Sequence, residues 1–517
     1  MSLSTRSRAW LRYVVGATIA LVLVAVTASV VVHRLASAPA HPDPGGSGSP
    51  GTSCLGMLPG AIGTDTGECV GVVTDARALD PDLREVAGAV LREDAEVAAA
   101  SVPPSVKVAL LTPLSVARQP LASAVSLGQV KYSLEGSLTA LHRVNRSALF
   151  GDPHAVRIQL VLVNQGSRQE YREALVKQIL AQGSPEHPLV AVVGLGSSFT
   201  GTEATAQALA DRGIPMVSAV ASADSLTMQR FRTLRSVSPS NRDYARALRT
   251  LLDDPAAGLG LHSGIIVQDT NDDPYPRTLR DAFAAELGPY LKFPSRPFTG
   301  GVVGAPAVPD VFAPVVTDIC NAVVDPKTPL DTIFYAGRVA DFDAFTRALD
   351  ERICQSTPLA VLVGATGFQA AGQYVDRLDH ANVTVIYASS ADAPEWTKGA
   401  NHPPEGFAQF LAAFRDEKFT DPDQSLTDGY AISYHDALAT AAMAIRLAAE
   451  GRQTPKPADV DVQFGALSLS HVVRGASGTL VFSDRPDGRA KSKEVVYRQI
   501  GTKGPRLPAG VTSYYTQ

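Results

Sequence analysis

Two hydroxyl-rich turns are the places where this sequence could hold a ligand. Leu189 to Ala206 reads LVAVVGLGSSFTGTEATA: an apolar run, a Gly-Ser turn, then a helical stretch. Ser197 and Ser198 fall where the free N–H groups and the dipole of a helix start attract an anion. The next apolar run ends in Ser218-Ala219-Val220-Ala221-Ser222, followed by Ala223, Asp224 and Ser225. Two adjacent turns of this kind suit a carboxylate or another polar head. Taken singly, each reads more simply as a serine N-cap.

Other chemistries lack their parts. Gly194-x-Gly196 after an apolar run invites a dinucleotide, but Phe199 stands where a third glycine is needed, and no acid closes the next strand. Gly196-Ser197-Ser198-Phe199-Thr200 likewise lacks the closing glycine of a nucleophile elbow. His435-Asp436 lies in a helical stretch and reads as a solvated or packed pair rather than part of a triad. Paired carboxylates, H-E-x-x-H, C-x-x-C and Cys/His clusters are all missing from the sequence. Neither a metal, a cofactor nor an enzymatic activity is expected. With a net charge of −5 over 517 residues and no long basic run, nucleic acid has no electrostatic footprint.

The elements that must position the serine turns alternate regularly. Apolar, β-branched runs at 106–111, 157–163, 189–193, 214–217, 263–268, 332–335 and 359–363 read as strands. Helical patterns at 126–144, 170–182, 201–212, 242–252, 276–286, 311–321 and 341–352 separate them. Strands spaced by helices of this length specify parallel sheets with right-handed crossovers. The units are too many for one compact open sheet, so the fold class is α/β with two doubly wound, Rossmann-like lobes joined by a hinge. In such sheets ligands bind beyond the carboxyl ends of the strands, where both serine turns lie. A long helix at 428–450 follows, and GTLVF at 478–482 with EVVYRQI at 494–500 reads as a closing β-hairpin.

Ahead of the lobes the chain changes character. Residues 1–12 carry Arg6, Arg8 and Arg12, and 13–34 contain an uncharged stretch from Tyr13 to Val32. About 20 residues at ~1.5 Å rise span roughly 30 Å of hydrocarbon, and the arginines set the N-terminus in the cytoplasm. The expectation is one N-terminal transmembrane helix at the cell membrane with the bulk of the chain outside; a cleaved signal segment, with Ala36, Ala38 and Ala40 near its end, is the alternative. Residues 35–53 are a Pro/Gly/Ser linker, 54–104 a cysteine-bearing preface with a helix near 81–101, and 105–517 the two-lobed domain. Four cysteines allow three pairings. The sequential one, Cys54 with Cys69 and Cys320 with Cys354, is preferred because closing a local loop of about 15 residues stabilises by ~3 kcal/mol. Two buried free thiols are the alternative at Cys320 and Cys354.

The stretch from about Val106 to Ile500 resembles the branched-chain amino-acid (Leu/Ile/Val) substrate-binding proteins of ABC transporters, with the type I periplasmic-binding-protein fold. The matching segments run in order: VALLTPLS (108–115), VVGLGSSFTG (192–201), IPMVSAVASADSLT (214–227), FRTLRSVSPSNRDYARAL (231–248), QDTNDDPY (268–275), IFYAGR (333–338), VLVGATG (361–367), DGYAISYHDAL (428–438) and GASGTLVFSD (475–484). The resemblance implies that Ser197 or Ser198, with Ala221 and Ser222, hold a ligand carboxylate. It makes Tyr275 the tyrosine that closes from the second lobe, and Tyr335 to Gly337 the aromatic-glycine turn. Where the family carries an acid for the ligand's ammonium, this chain has Thr366. Either the ligand is not a standard α-amino acid, or another acid such as Asp428 or Asp269 supplies the charge, or the site has degenerated. Solvated loop positions are the simpler expectation for both acids. The implied function is an extracellular solute-binding protein that clamps a small polar ligand by hinge closure for an ABC permease. A membrane-anchored sensor or partner-binding protein without transport would share every residue cited.

Overall fold

A computed structural model of the chain describes residues 60–100, 102–118, 123–305, 308–364, 374–450, 454–468, 470–482, 485–508 and 510–517. The expected membrane segment, the linker and Cys54 lie outside the described residues. Among those described, no helix is long and apolar enough to cross a membrane.

The apolar runs form two sheets of seven strands. In lobe I they are β1 (Ile62–Gly63), β2 (Cys69–Val72), β3 (Ser105–Thr112), β4 (Arg157–Asn164), β5 (Leu189–Gly194), β6 (Met216–Ser218) and β7 (Leu234–Ser236), in the order β1-β2-β4-β3-β5-β6-β7. Strands β3 to β7 run parallel, while β1 and β2 are antiparallel additions at one edge. The period of two sends Val106, Val108 and Leu110 of β3 to one face and Ala109 and Leu111 to the other. Helices Arg84–Ala99, Leu127–Arg146 and Tyr430–Ala448 cover the first face; Arg172–Leu180 and Thr200–Ala210 cover the second. Both faces are therefore buried, which is why the strands read as continuous apolar runs. The stretch before Ser105 belongs to this lobe: β2 pairs with β4, and Leu83, Val86 and Val90 pack into its core.

Lobe II contains β8 (Gly264–Asp269), β9 (Arg296–Phe298), β10 (Thr332–Ala336), β11 (Leu359–Gly364), β12 (Val383–Ser389), β15 (Glu494–Ile500) and β16 (Tyr514–Tyr515), ordered β16-β15-β12-β11-β10-β8-β9. Its two faces carry separate cores. One is aromatic, with Phe298, Phe312, Tyr335, Phe342 and Phe345 in mutual contact; the other gathers Tyr244, Phe283 and Phe334. Cys320 and Cys354 are joined, tying helix Ala313–Val323 to the turn after helix Val339–Asp350.

The closing hairpin expected from the sequence does not form. Strand β14 (Gly478–Leu480) pairs with β13 (Val473–Gly475), whereas β15 leaves for lobe II and pairs antiparallel with β12. The edge of β12 offers a full row of partners, and among the described residues the first expected arm makes only an isolated bridge from Val481 to Lys491, ahead of the second arm. The chain thus passes between lobes near 236–241, 389–407 and 482–494.

Candidate ligand cleft between the lobes

Each residue of the cleft is delivered by the turn after a parallel strand or by a helix start. In the turn after β5, Gly194, Leu195 and Gly196 all have positive φ, at 97°, 63° and 62°. A Cβ at Gly196 would sit 2.0 Å from the Gln165 amide, so only glycine permits this approach. The two glycines serve this sharp turn, and it delivers Ser197 and Ser198 to helix Thr200–Ala210. The turn after β6 carries Val220 and Ser222, and the Ser198 hydroxyl accepts the Ala223 N–H at 3.2 Å, linking the two serine turns.

The second turn is fixed from behind by Arg489, which is 1% exposed. Its guanidinium donates to the carbonyls of Ala223 (2.8 Å), Ser238 (2.8 Å), Pro239 (3.2 Å) and Ala221 (3.3 Å), with a longer contact to Leu226. One side chain thus joins the turn, the end of β7 and the last interlobe crossing.

Lobe II contributes Tyr275, at the start of helix Pro274–Glu286, and Arg338, the N-cap of helix Val339–Asp350. Arg338 is 8% exposed and reaches across the cleft. Its Nη2 donates to the Ser198 carbonyl at 3.1 Å and lies 3.2 Å from Asp273. The guanidinium lies 4.0 Å from the centre of the Phe199 ring and 5.5 Å from that of Tyr275. Together Ala124, Gln129, Ser197, Ser198, Val220, Ser222, Tyr275, Arg338, Val339 and Tyr430 enclose about 60 Å³. That is well below the ~300 Å³ at which sites for drug-sized ligands begin. Burial pushes the Tyr275 and Tyr430 phenols well above their ordinary range, so both are protonated donors.

Of the residues expected at the site, Ser197, Ser198, Ser222 and Tyr275 line this cavity. Ala221 is buried beneath it and offers its carbonyl to Arg489. Tyr335 points into the aromatic core of lobe II, stacked on Phe298 and Phe345, and its hydroxyl donates to the Arg338 carbonyl at 3.1 Å. A Cβ at Gly337 would lie 2.6 Å from Phe298 and 2.7 Å from Tyr335, so this glycine makes room for the rings. Thr366 lies outside the described residues. Arg338, Gln129 and Tyr430 were not singled out by sequence; a charged residue two positions beyond a strand end was the available signal for Arg338.

The acids weighed as counter-charges are buried rather than solvated. Asp269 accepts the Gly300 N–H at 2.9 Å and the Asn271 N–H at 3.0 Å, which commits it to a loop. Asp428 accepts the Tyr430 N–H at 3.0 Å, and burial raises its pKa to about 7. His435 and Asp436 form a packed pair at 2.8 Å with no exposure; Asp436 also accepts the Ala476 N–H, while His435 Nε2 lies 2.6 Å from Arg143.

No protein-family model matches the chain, and no curated protein matches it significantly in sequence. Solved structures do match in shape. The leucine-binding protein LivK from Thermotoga maritima superposes with a TM-score of 0.54 at 15% identity, covering 80% of this chain and 98% of that one. LivJ, the branched-chain amino-acid transporter substrate-binding protein from Streptococcus pneumoniae in complex with isoleucine, gives 0.55 at 15% identity, over 80% and 99%. An ABC-transporter solute-binding protein from Rhodopseudomonas palustris in complex with p-hydroxybenzoic acid gives 0.56 at 15% identity, over 80% and 98%. With two doubly wound lobes, three crossings and a cleft at the strand ends, this chain has the type I periplasmic-binding-protein fold seen in the substrate-binding proteins of branched-chain amino-acid ABC transporters.

Proposed function

We propose that the chain is a solute-binding protein whose lobes close over a small polar ligand, amino-acid-like or another carboxylate, for delivery to an ABC permease. The observation that carries this reading is the convergence of Ser197, Ser198 and Ser222 from lobe I with Tyr275 and Arg338 from lobe II around one cavity. Hydroxyls and a guanidinium aimed at a shared point suit a carboxylate, and a ligand bridging both walls would select the closed form by its greater affinity for it. Substrate-binding neighbours of the same fold support the reading. The uncharged stretch Tyr13–Val32 behind three arginines supports placement outside the cell on a single membrane anchor.

A second reading follows from the small cavity, about 60 Å³ with Arg338 already spanning it: a sensor or partner-binding protein whose pocket no longer takes solute. One experiment separates the two. The full chain, purified in mild detergent, is heated with a panel of amino acids, small carboxylates and amides. A ligand at 100 times its Kd stabilises by ~2.7 kcal/mol, which raises Tm by a few degrees. No shift with any compound would refute the clamp and favour the second reading.

A further inference from the structure

Going beyond a clamp for some polar solute, and resting on that reading, we infer that the cleft is built for an organic carboxylate that carries no ammonium group, with Arg338 as the residue that sets this preference. The charges around the cavity carry the argument. One guanidinium lines it together with hydroxyls, phenols and the Gln129 amide, and no carboxylate lines it among the described residues.

The acids around the cleft lie behind its lining, and most are engaged; Asp341, two residues beyond Val339, accepts the Gly301 N–H at 2.7 Å through one oxygen and already faces Arg338. Asp273 faces Arg338 at 3.2 Å and is the partner of that guanidinium. Asp428 is held by the Tyr430 N–H and sits behind the wall. Asp224 accepts the Arg242 N–H at 3.1 Å, and Asp269 is tied to the loop at Gly300. An ammonium entering here would meet a cation and no carboxylate among the described lining residues, whereas a carboxylate would meet Arg338.

Arg338 is also underused as it stands. Both polar contacts it makes among the described residues run through Nη2, one to a neutral carbonyl and one to Asp273. A guanidinium offers five N–H groups in a planar fork that matches a carboxylate. Held over Phe199 and capped by Tyr275, it occupies the space between the walls. A carboxylate that enters when the lobes part takes over its fork, and the Ser198 carbonyl contact is lost. Arg338 is in this sense a tethered stand-in for the ligand's contact between the lobes.

The test is titration calorimetry on the full chain in detergent with matched pairs: leucine against 4-methylpentanoate, phenylalanine against 3-phenylpropanoate, and tyrosine against 3-(4-hydroxyphenyl)propanoate. The expected result is that at least one deaminated acid binds about 10-fold or more tighter than its amino acid, and that Arg338→Gln weakens it by about 30-fold or more. Arg338→Lys keeps the charge and loses the fork, so it should retain the preference for acid over amino acid with reduced affinity. It serves as the readout if Arg338→Gln does not fold. Equal or tighter binding of an amino acid, or unchanged acid binding in Arg338→Gln, would overturn the inference while leaving the clamp standing. If neither member of any pair binds, the clamp reading fails as well.

Discussion

The two walls of the cleft differ in kind. Lobe I presents short side chains, Ser197, Ser198 and Ser222, on turns whose backbone is fixed by glycines at positive φ and by the buried Arg489. Lobe I adds the Gln129 amide and the Tyr430 phenol from two of its own helix starts, all of them neutral, whereas lobe II presents Tyr275 and the charged Arg338 at the starts of two helices. A short hydroxyl on a pinned turn is positioned before any ligand arrives. A guanidinium at the end of a flexible stem becomes positioned only when something holds it, here Asp273 and the Tyr275 ring from its own lobe and the Ser198 carbonyl and the Phe199 ring from the other. Recognition by lobe I is therefore pre-organised, and lobe II adds charge when the walls meet.

The sharpest way to break this contrast is to unpin lobe I. Arg489→Met leaves several buried carbonyls without donors, and a buried acceptor left unsatisfied costs ~1–3 kcal/mol. The expected outcome is a fall of at least that size in urea-unfolding free energy, with ligand affinity lowered as the Ser222 turn loosens. Unchanged stability would mean that the turn holds itself. On the lobe II side, Cys320→Ser with Cys354→Ser removes a cross-link over 34 residues, for which chain entropy gives ~3–4 kcal/mol. Because the bridge lies in the outer helical layer, ligand affinity should stay within about 2-fold while Tm falls; a large affinity loss would show that lobe II is no more independent of its scaffold than lobe I.

An effect that depends on pH concerns Asp428, behind the shared wall. Burial raises its folded pKa from 3.8 to about 7, so between those values the folded chain holds a proton that the unfolded chain has released. Its contribution to stability therefore falls as pH rises from about 4 to 7 and is level above that. Asp428→Asn should match the native chain at pH 4 and exceed it by on the order of 4 kcal/mol at pH 8, read as the difference between two denaturation series. An equal offset at both pH values would show that Asp428 stays charged in the fold.

Much of this architecture is legible in the sequence because strands buried on both faces are continuous β-branched runs, and because the turns after them carry Gly and Ser where helices must start. The serine turns and Tyr275 could be placed at the cleft for that reason. Tyr335 could not: all five residues of β10 are buried, and a run with no polar alternation does not say which face each side chain takes. Its ring went to the aromatic core instead. Arg338 was opaque for the opposite reason, since an arginine after a strand looks the same whether it is solvated or folded inward. Strand β12 was not anticipated, and without its open edge the sequence offered β15 no partner but β14. The burial of Asp269 and Asp428 depends on backbone N–H groups that converge only in three dimensions.

The pairing of β15 with β12 has a consequence for how the protein is made. Until residues 494–500 emerge, the edge of β12 stays bare, and Val495 and Tyr497 are missing from the second core of lobe II. A nascent chain would then carry a nearly complete sheet with an exposed, apolar, unpaired margin more than a hundred residues behind the growing end, the kind of margin that recruits neighbouring chains. Synthesis of this protein therefore includes an interval in which it is vulnerable to aggregation, and that interval closes only with the last part of the chain.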